Sequence, residues 1–331
     1  MITRRAFIVS LTGSLLAAPL AARAQQPTKV YRIGFLLPSL PPPPGTPRLA
    51  PPDVDAGLRD LGYVPGQNVV YEVRYGFDPD ALTVAAEELV RSKVDLLYAW
   101  GTTSTIAARR ATTTLPIVLC NVRDPVGQGF VNSLAHPGGN VTGLSETPSA
   151  EIAGKLLELL TEAVPRPSRI AVVWNSLTFG GTFYLDEVQK AASALKVGLR
   201  PIDMHGGSDF GDQFETLRRE RITGAVVLPD PTFWPHREAL LAAAAKERVA
   251  VIYGTTEFAR VGGFMAYGSN SRAIARRSAT FIDRILRGAK PGDLPVEQPA
   301  KLELLINLKT AKALGLTIPP SLLARADEVI Q

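Results

Sequence analysis

From Tyr31 to Tyr253 the chain alternates short β-branched runs with longer amphipathic stretches, and this alternation restricts it to an α/β fold in which parallel sheets are flanked by helices. The first series of expected strands is Tyr31–Leu37, Asn68–Arg74, Asp95–Ala99, Pro116–Cys120 and Val141–Leu144. Between them Ala81–Lys93 is the clearest helix: Leu82, Ala85, Ala86, Leu89 and Val90 recur at spacings of three and four, with Asp78 or Asp80 available as a cap. A second series, Ile170–Trp174, Leu199–Ile202, Ala225–Leu228 and Val249–Tyr253, alternates with helices around Glu151–Val164, Thr182–Val197, Gln213–Arg221 and His236–Arg248. Two such series in one chain imply two similar lobes.

Ahead of them, Arg4 and Arg5 precede an uncharged run from Val9 to Leu20, and Ala22-Arg23-Ala24 supplies the small-x-small pattern of a signal-peptidase site. Residues 1–24 are therefore expected to be a signal peptide, with the mature chain starting near Gln25. Paired arginines followed by Phe7 suit a twin-arginine address, although the general secretory route also accepts basic residues before an apolar core. The apolar run is shorter than the roughly 20 residues a lasting membrane helix needs. Of the formal net charge of +5, Arg4, Arg5 and Arg23 belong to this leader, so the remainder is close to neutral and gives no reason to expect nucleic acid or anionic lipid as a partner. The single cysteine, Cys120, excludes an internal disulfide and leaves stability to the hydrophobic core. Eight prolines between Pro38 and Pro52 resist helix and sheet, making either an inert surface loop or a rim beside a cleft. After Lys290-Pro291-Gly292 the tail offers a strand at Leu302–Asn307 and short helices at Lys309–Leu314 and Ser321–Ile330, a segment suited to strapping the lobes together.

Catalytic constellations are scarce. The three histidines, His136, His205 and His236, have no metal-pair spacing, and neither a nucleophile elbow nor a phosphate-binding glycine loop occurs. Cys120 ends an apolar strand and reads as a buried, inert thiol. No cofactor, metal or catalytic residue is expected.

Hydrogen-bonding and aromatic residues instead collect just beyond the carboxyl ends of the expected strands, the edge at which open α/β sheets bind ligands. Trp100-Gly101-Thr102-Thr103 opens a helix whose first-turn amides and hydroxyls suit a carboxylate, or simply cap the helix. Ser39 and Asp124 stand at other strand exits of the first series, and Asn175, Asp230 and Glu257 at those of the second. Asp124, Asp230 and Glu257 could pair with an ammonium group, while Trp100, Phe233, Tyr253 and Tyr267 could pack an apolar portion. Asp-Pro at 124–125 and 230–231 is equally a turn former.

These same segments carry a family likeness. The Thr-Arg-Arg-x-Phe leader, Leu61-Gly62-Tyr63-Val64, Asp124-Pro125-Val126-Gly127, His136-Pro137-Gly138-Gly139-Asn140-Val141-Thr142-Gly143, Leu228-Pro229-Asp230-Pro231 and Asn307-Leu308-Lys309-Thr310-Ala311 resemble the substrate-binding proteins of ABC transporters assigned to tryptophan and tyrosine uptake. The resemblance implies a type I periplasmic-binding-protein fold: two Rossmann-like lobes, with a small-molecule solute captured between them by hinge closure and delivered to an ABC permease with its ATPase, without catalysis. It implies a periplasmic monomer. The lobes are expected at 25–146 with roughly 272–300, and at 147–271, with 301–331 as the strap. The proline cluster Pro41–Pro44 departs from the family pattern and puts Ser39 as a ligand contact in question. A solute sensor presenting its ligand to a membrane receptor shares every one of these features. An exported hydrolase would have to build on His236, the one histidine at an expected cleft.

Overall fold

The computed structural model describes residues 29–146, 151–165, 167–177, 179–205, 209–299 and 301–331; the leader and its cleavage site lie outside the described residues. The first sheet is assembled from β1 (Tyr31–Leu37), β2 (Val69–Tyr75), β3 (Leu96–Trp100), β4 (Ile117–Val122) and β5 (Val141–Ser145), all parallel, in the order β2-β1-β3-β4-β5. α1 (Pro52–Asp60), α2 (Pro79–Arg91) and α3 (Gly101–Ala111) provide its crossovers. The second sheet runs β12-β11-β10-β9-β8-β6-β7. Its strands β6 (Arg169–Trp174), β7 (Gly198–Asp203), β8 (Gly224–Val227), β9 (Ala250–Tyr253) and β10 (Met265–Gly268) are parallel, while β11 (Glu303–Asn307) pairs antiparallel with β10 and β12 (Glu328–Ile330) parallel with β11. This is the type I periplasmic-binding-protein architecture.

Both faces of each sheet are covered. On β1, Ile33 and Phe35 point to a core shared with α1, while Leu36 faces the helices α2 and α3 on the other side. Helix α2 shows why its segment folds as it does. Asp78 accepts a hydrogen bond from the Ala81 amide at 2.8 Å, Pro79 supplies the preset first-turn φ, and Leu82, Ala85, Ala86 and Leu89 form the buried stripe. In the second lobe α4 (Glu151–Ala163) and α5 (Phe179–Leu195) cover one face, and α6 (Phe210–Arg219) and α7 (Arg237–Lys246) the other.

The chain does not leave the first lobe for good after β5. A short helix α8 (Glu257–Arg260) and strand β10 lead into α9 (Ser271–Leu286), whose Ile274, Ala275, Ala279 and Ile282 enter the core of the first sheet beside α1. Beyond α9, Thr142 Oγ1 donates to the Leu294 carbonyl at 2.6 Å and the Ser145 amide to that of Glu297 at 2.9 Å, which keeps this return strand against β5. Residues 301–331, read from the sequence as a strap across the lobes, lie wholly with the second sheet instead. Leu304 and Ile306 of β11 bury into its core, followed by α10 (Leu308–Leu314) and α11 (Pro320–Leu323). The helix expected over Ser321–Ile330 is likewise replaced by the single turn α11 and the edge strand β12, because pairing of Glu328–Ile330 with Leu305–Asn307 supplies backbone partners that a frayed helix end lacks.

Gly143 accounts for part of the His136–Gly143 motif. Its φ is +138°, and a Cβ there would stand 2.0 Å from the Leu119 carbonyl oxygen of β4. Gly143→Ala is expected to cost about 2–4 kcal/mol, combining backbone strain with overpacking. Urea unfolding of the purified variant checks this; a change within about 0.5 kcal/mol, the ordinary surface range, would refute the close approach.

Candidate functional site

The carboxyl ends of the two sheets face each other. Arg123, one residue past β4, donates from Nη2 to the Pro229 carbonyl beyond β8 at 2.6 Å, and Phe77 beyond β2 meets His236 of the second lobe edge-on at 6.4 Å. These contacts bring strand exits of the two lobes together across an interlobe cleft.

On the first lobe, Trp100 ends β3 half-buried and Gly101 begins α3 at φ +78°, a left-handed conformation that favours glycine. The helix starts without a side-chain cap, so its first-turn amides are not satisfied by a neighbouring side chain. Thr102 and Thr103 are half-buried in that turn, and Ser104 is completely buried with a hydroxyl that has no hydrogen-bond partner among the described residues. Ser39 is half-buried in a tight turn, its amide donating to the Leu37 carbonyl at 3.0 Å. Asp124 does not reach inward. It is exposed, with φ +39°, and its Oδ1 accepts from the Gly127 amide at 2.9 Å, which is the turn-forming role of an Asp-Pro pair.

On the second lobe, Asn175 and Asp230 are buried together at 3% and 6% exposure. Asn175 Nδ2 donates to Thr232 Oγ1 at 3.1 Å, and Thr232 in turn donates its hydroxyl, at 2.5 Å, and its amide, at 2.8 Å, to Asp230 Oδ1. This chain ties the exits of β6 and β8 and caps the 3-10 turn Pro231–His236. Glu257 heads α8 with Oε1 buried and without a hydrogen-bond partner among the described residues, and burial raises its carboxyl above the ordinary value despite Arg260 nearby.

Of the aromatic residues expected in the cleft, Phe233 and Tyr253 are core and Tyr267 is half-buried against the core. Phe233 is 2% exposed and packs edge-on against Phe210. Tyr253 is 1% exposed and stacked on Phe258 at 4.6 Å. Tyr267 packs on the α4 side of the second sheet, where Lys155 and Glu158 are its charged neighbours. The strand pleat turns Tyr253 and Tyr267 onto sheet faces covered by helices, and the 3-10 turn Pro231–His236 turns Phe233 inward.

At the centre of the cleft stand charges that the sequence reading did not single out. Arg123 is 7% exposed, with Nε 2.8 Å from Glu146 Oε2 and its guanidinium 5.0 Å from the centre of the Tyr184 ring. Burial would lower the Arg123 pKa, but Glu146 and the other surrounding acids outweigh it and hold the guanidinium charged. Burial raises Glu146 even with Arg123 beside it, and pushes the Tyr184 hydroxyl up to about 12. Elsewhere, burial pushes the Cys120 thiol up to about 12, consistent with an inert core cysteine. Among the described residues no group of three His, Cys, Asp or Glu side chains could hold a metal ion.

Residues 52–330 match the family described as ABC transporter substrate binding protein. The chain belongs to that family. A tyrosine-binding protein of Clostridioides difficile is 27% identical over 260 residues, covering 78% of this chain and 74% of its own. Among solved structures, a Streptococcus pneumoniae ABC domain in complex with L-Trp aligns with a TM-score of 0.77 at 23% identity, covering 91% of this chain and all of the other. A ligand-free, open substrate-binding protein with adhesive properties from Clostridium difficile gives a TM-score of 0.61 at 22% identity, again with 91% and 100% coverage.

Beyond the expected positions, the polar groups that the fold of this substrate-binding protein gathers between the lobes are Arg123, Glu146, Thr232 and Tyr184. Thr232 and Arg123 lie within two residues of the expected positions Asp230 and Asp124 and needed only a wider window. Arg123, Glu146 and Tyr184 come from three separate segments, and only the fold brings them together.

The buried Glu257 carboxyl yields a pH test. Its folded-state pKa is raised, so its contribution to stability is fully present below the unfolded pKa of about 4.3 and is lost as pH rises through the folded value. Glu257→Gln, neutral at every pH, is therefore expected to melt higher than the parent at pH 7, with the gap closing toward pH 4. A variant that melts lower at pH 7 would mean that the ionised carboxylate is stabilised in the fold.

Proposed function

We propose that this protein is an exported solute-binding protein that captures an aromatic amino acid in the interlobe cleft, closes over it by hinge motion and hands it to an ABC permease. The observation that carries this reading is the placement of opposite binding chemistries on opposing edges. The uncapped first turn of α3, with Thr102, Thr103 and Ser104, suits a carboxylate, and the Asp230 carboxylate across the cleft suits an ammonium group. Trp100 and Trp174, at the ends of β3 and β6, are half-buried against the cores of their lobes, and we assign their remaining exposed edges to the apolar part of the solute. The names of the relatives, one binding tyrosine and one solved with L-Trp, support the ligand class. At nearly equal identity the chain superposes better on the L-Trp complex than on the open, ligand-free protein, which supports a closed arrangement of the lobes. A solute can drive closure only through contacts made in the closed state, and Asp230, on the lobe opposite α3, is the group placed to supply them. Residues 1–24 would direct the protein to the periplasm, by the twin-arginine route.

Addition of L-tyrosine or L-tryptophan to the mature chain from Gln25 onward is expected to raise its melting temperature, since both bind the folded state alone. Absence of a shift with either amino acid would reject the aromatic reading. Asp230→Asn separates binding from folding, because asparagine caps as well as aspartate while removing the charge. Calorimetry is expected to show affinity weakened about 10- to 100-fold, the worth of a charge-assisted hydrogen bond, with the melting temperature of the free protein nearly unchanged. Full affinity in this variant would move the ammonium site away from Asp230.

A further inference from the structure

Arg123 stands where the cleft must break if the lobes separate. Its backbone is aimed there at some cost. The β4–β5 register shifts between Cys120 and Val122, and the non-glycine residues Asn121 and Asp124 on either side of Arg123 hold left-handed conformations, at φ +59° and +39°. Bulges and strained positions of this kind re-aim a side chain and persist where the surroundings over-determine them. Here they turn a charged residue inward, toward the opposite lobe.

The partners of Arg123 divide into two sets. Glu146 follows directly on β5, whose Ser145 is paired with Val122, so the ion pair at 2.8 Å belongs to the first sheet and travels with it. The Pro229 carbonyl at 2.6 Å and the Tyr184 ring at 5.0 Å belong to the second lobe. Opening the cleft would leave the ion pair intact, break the carbonyl bond and withdraw the ring. It would also return the guanidinium to water, which offsets part of what is lost. The contact therefore biases the equilibrium between open and closed lobes without freezing it.

We infer that Arg123 is a positioning residue that holds the two lobes together across the cleft, anchored on Glu146 and engaging Pro229 and Tyr184, so that the closed arrangement is favoured before solute binds. This deepens the solute-binding reading above and rests on it for its role in capture, but the latch itself is a property of the ligand-free protein. A contact that favours the closed arrangement slows release of a bound solute, because release requires the lobes to open.

Small-angle X-ray scattering of the solute-free mature chain tests the latch directly. The parent is expected to scatter as the closed form. Tyr184→Leu removes one of the two second-lobe partners, leaving the Pro229 carbonyl bond and every charge in place, and the double variant Arg123→Gln/Glu146→Gln removes both charges so that neither is left buried alone. Both are expected to shift to the larger radius of gyration of an open form, with Arg123→Lys intermediate and circular dichroism unchanged. Stopped-flow release of L-tyrosine or L-tryptophan is expected to quicken about tenfold in Tyr184→Leu, the change that one lost interaction of this class produces. A parent already open without solute, or folded variants whose scattering superimposes on that of a closed parent, would overturn the latch. Should the double variant not fold, Tyr184→Leu and Arg123→Lys decide it. Failure of both amino acids to bind would sink the aromatic ligand while leaving the scattering result to judge Arg123.

Discussion

Burial of the parallel strands on both faces is the constraint on which the rest of the molecule depends. All four residues of β8 and all four of β9 are buried, and helices cover both sides of each sheet. Strands so enclosed satisfy their amides within the ladder and have no room for polar side chains. Polar groups, uncapped helix starts and charges are displaced to the strand exits, where the chain emerges from the core. Asn175, Asp230, Arg123 and Glu146 each lie within three residues of the end of a strand. The cleft follows from the way the core is built, and it collects chemistry because the strands cannot.

The same constraint explains what the sequence discloses. Continuous apolar runs such as Tyr31–Leu37 and Ile170–Trp174 mark buried strands, and the observed bounds of these elements fall within a residue of that reading. The short strand β10 follows Gly262-Gly263 and has too few residues for a periodic signal, and β12 is defined by its pairing with β11 rather than by its own composition. Strand-exit position also says which end of the sheet a residue occupies without saying which way it points. That is why Phe233, Tyr253 and Tyr267 read like ligand-packing aromatics and turn out to pack the core, while Asn175 and Asp230 turn into the cleft. The Arg123, Glu146 and Tyr184 cluster was illegible for a different reason. A buried charge is tolerable only when its partners are present, and those partners come from residues 146, 184 and 229, which no local pattern connects.

Glu146 joins the strand exits to a passage of the chain between the lobes. Its amide donates to the Val122 carbonyl at 2.8 Å, its own carbonyl accepts from Ser269 Oγ at 3.3 Å, and its carboxylate holds Arg123. It is thus fixed to the first sheet, to the second passage of the chain between the lobes, and to the group that reaches across the cleft. A rotation of the lobes about these passages moves Arg123 relative to Pro229, and a change at Arg123 is felt at the passages.

Charge balance then ties closure to the solute. Arg123, Glu146 and Asp230 bring one guanidinium and two carboxylates into a space that closing removes from water. Burying an excess charge is costly, whereas a balanced, hydrogen-bonded set is tolerated. An amino acid adds an ammonium group that balances the cluster and a carboxylate that α3 can receive at its opposite end. In the proposed complex the gain over a neutral molecule of the same shape would come from local pairing, ammonium with Asp230 and carboxylate with the first turn of α3, since the zwitterion adds no net charge. On the reading proposed above, selectivity for amino acids over their neutral analogues would arise from the same electrostatics that would draw the lobes together, with the aromatic part of the solute adding contact area.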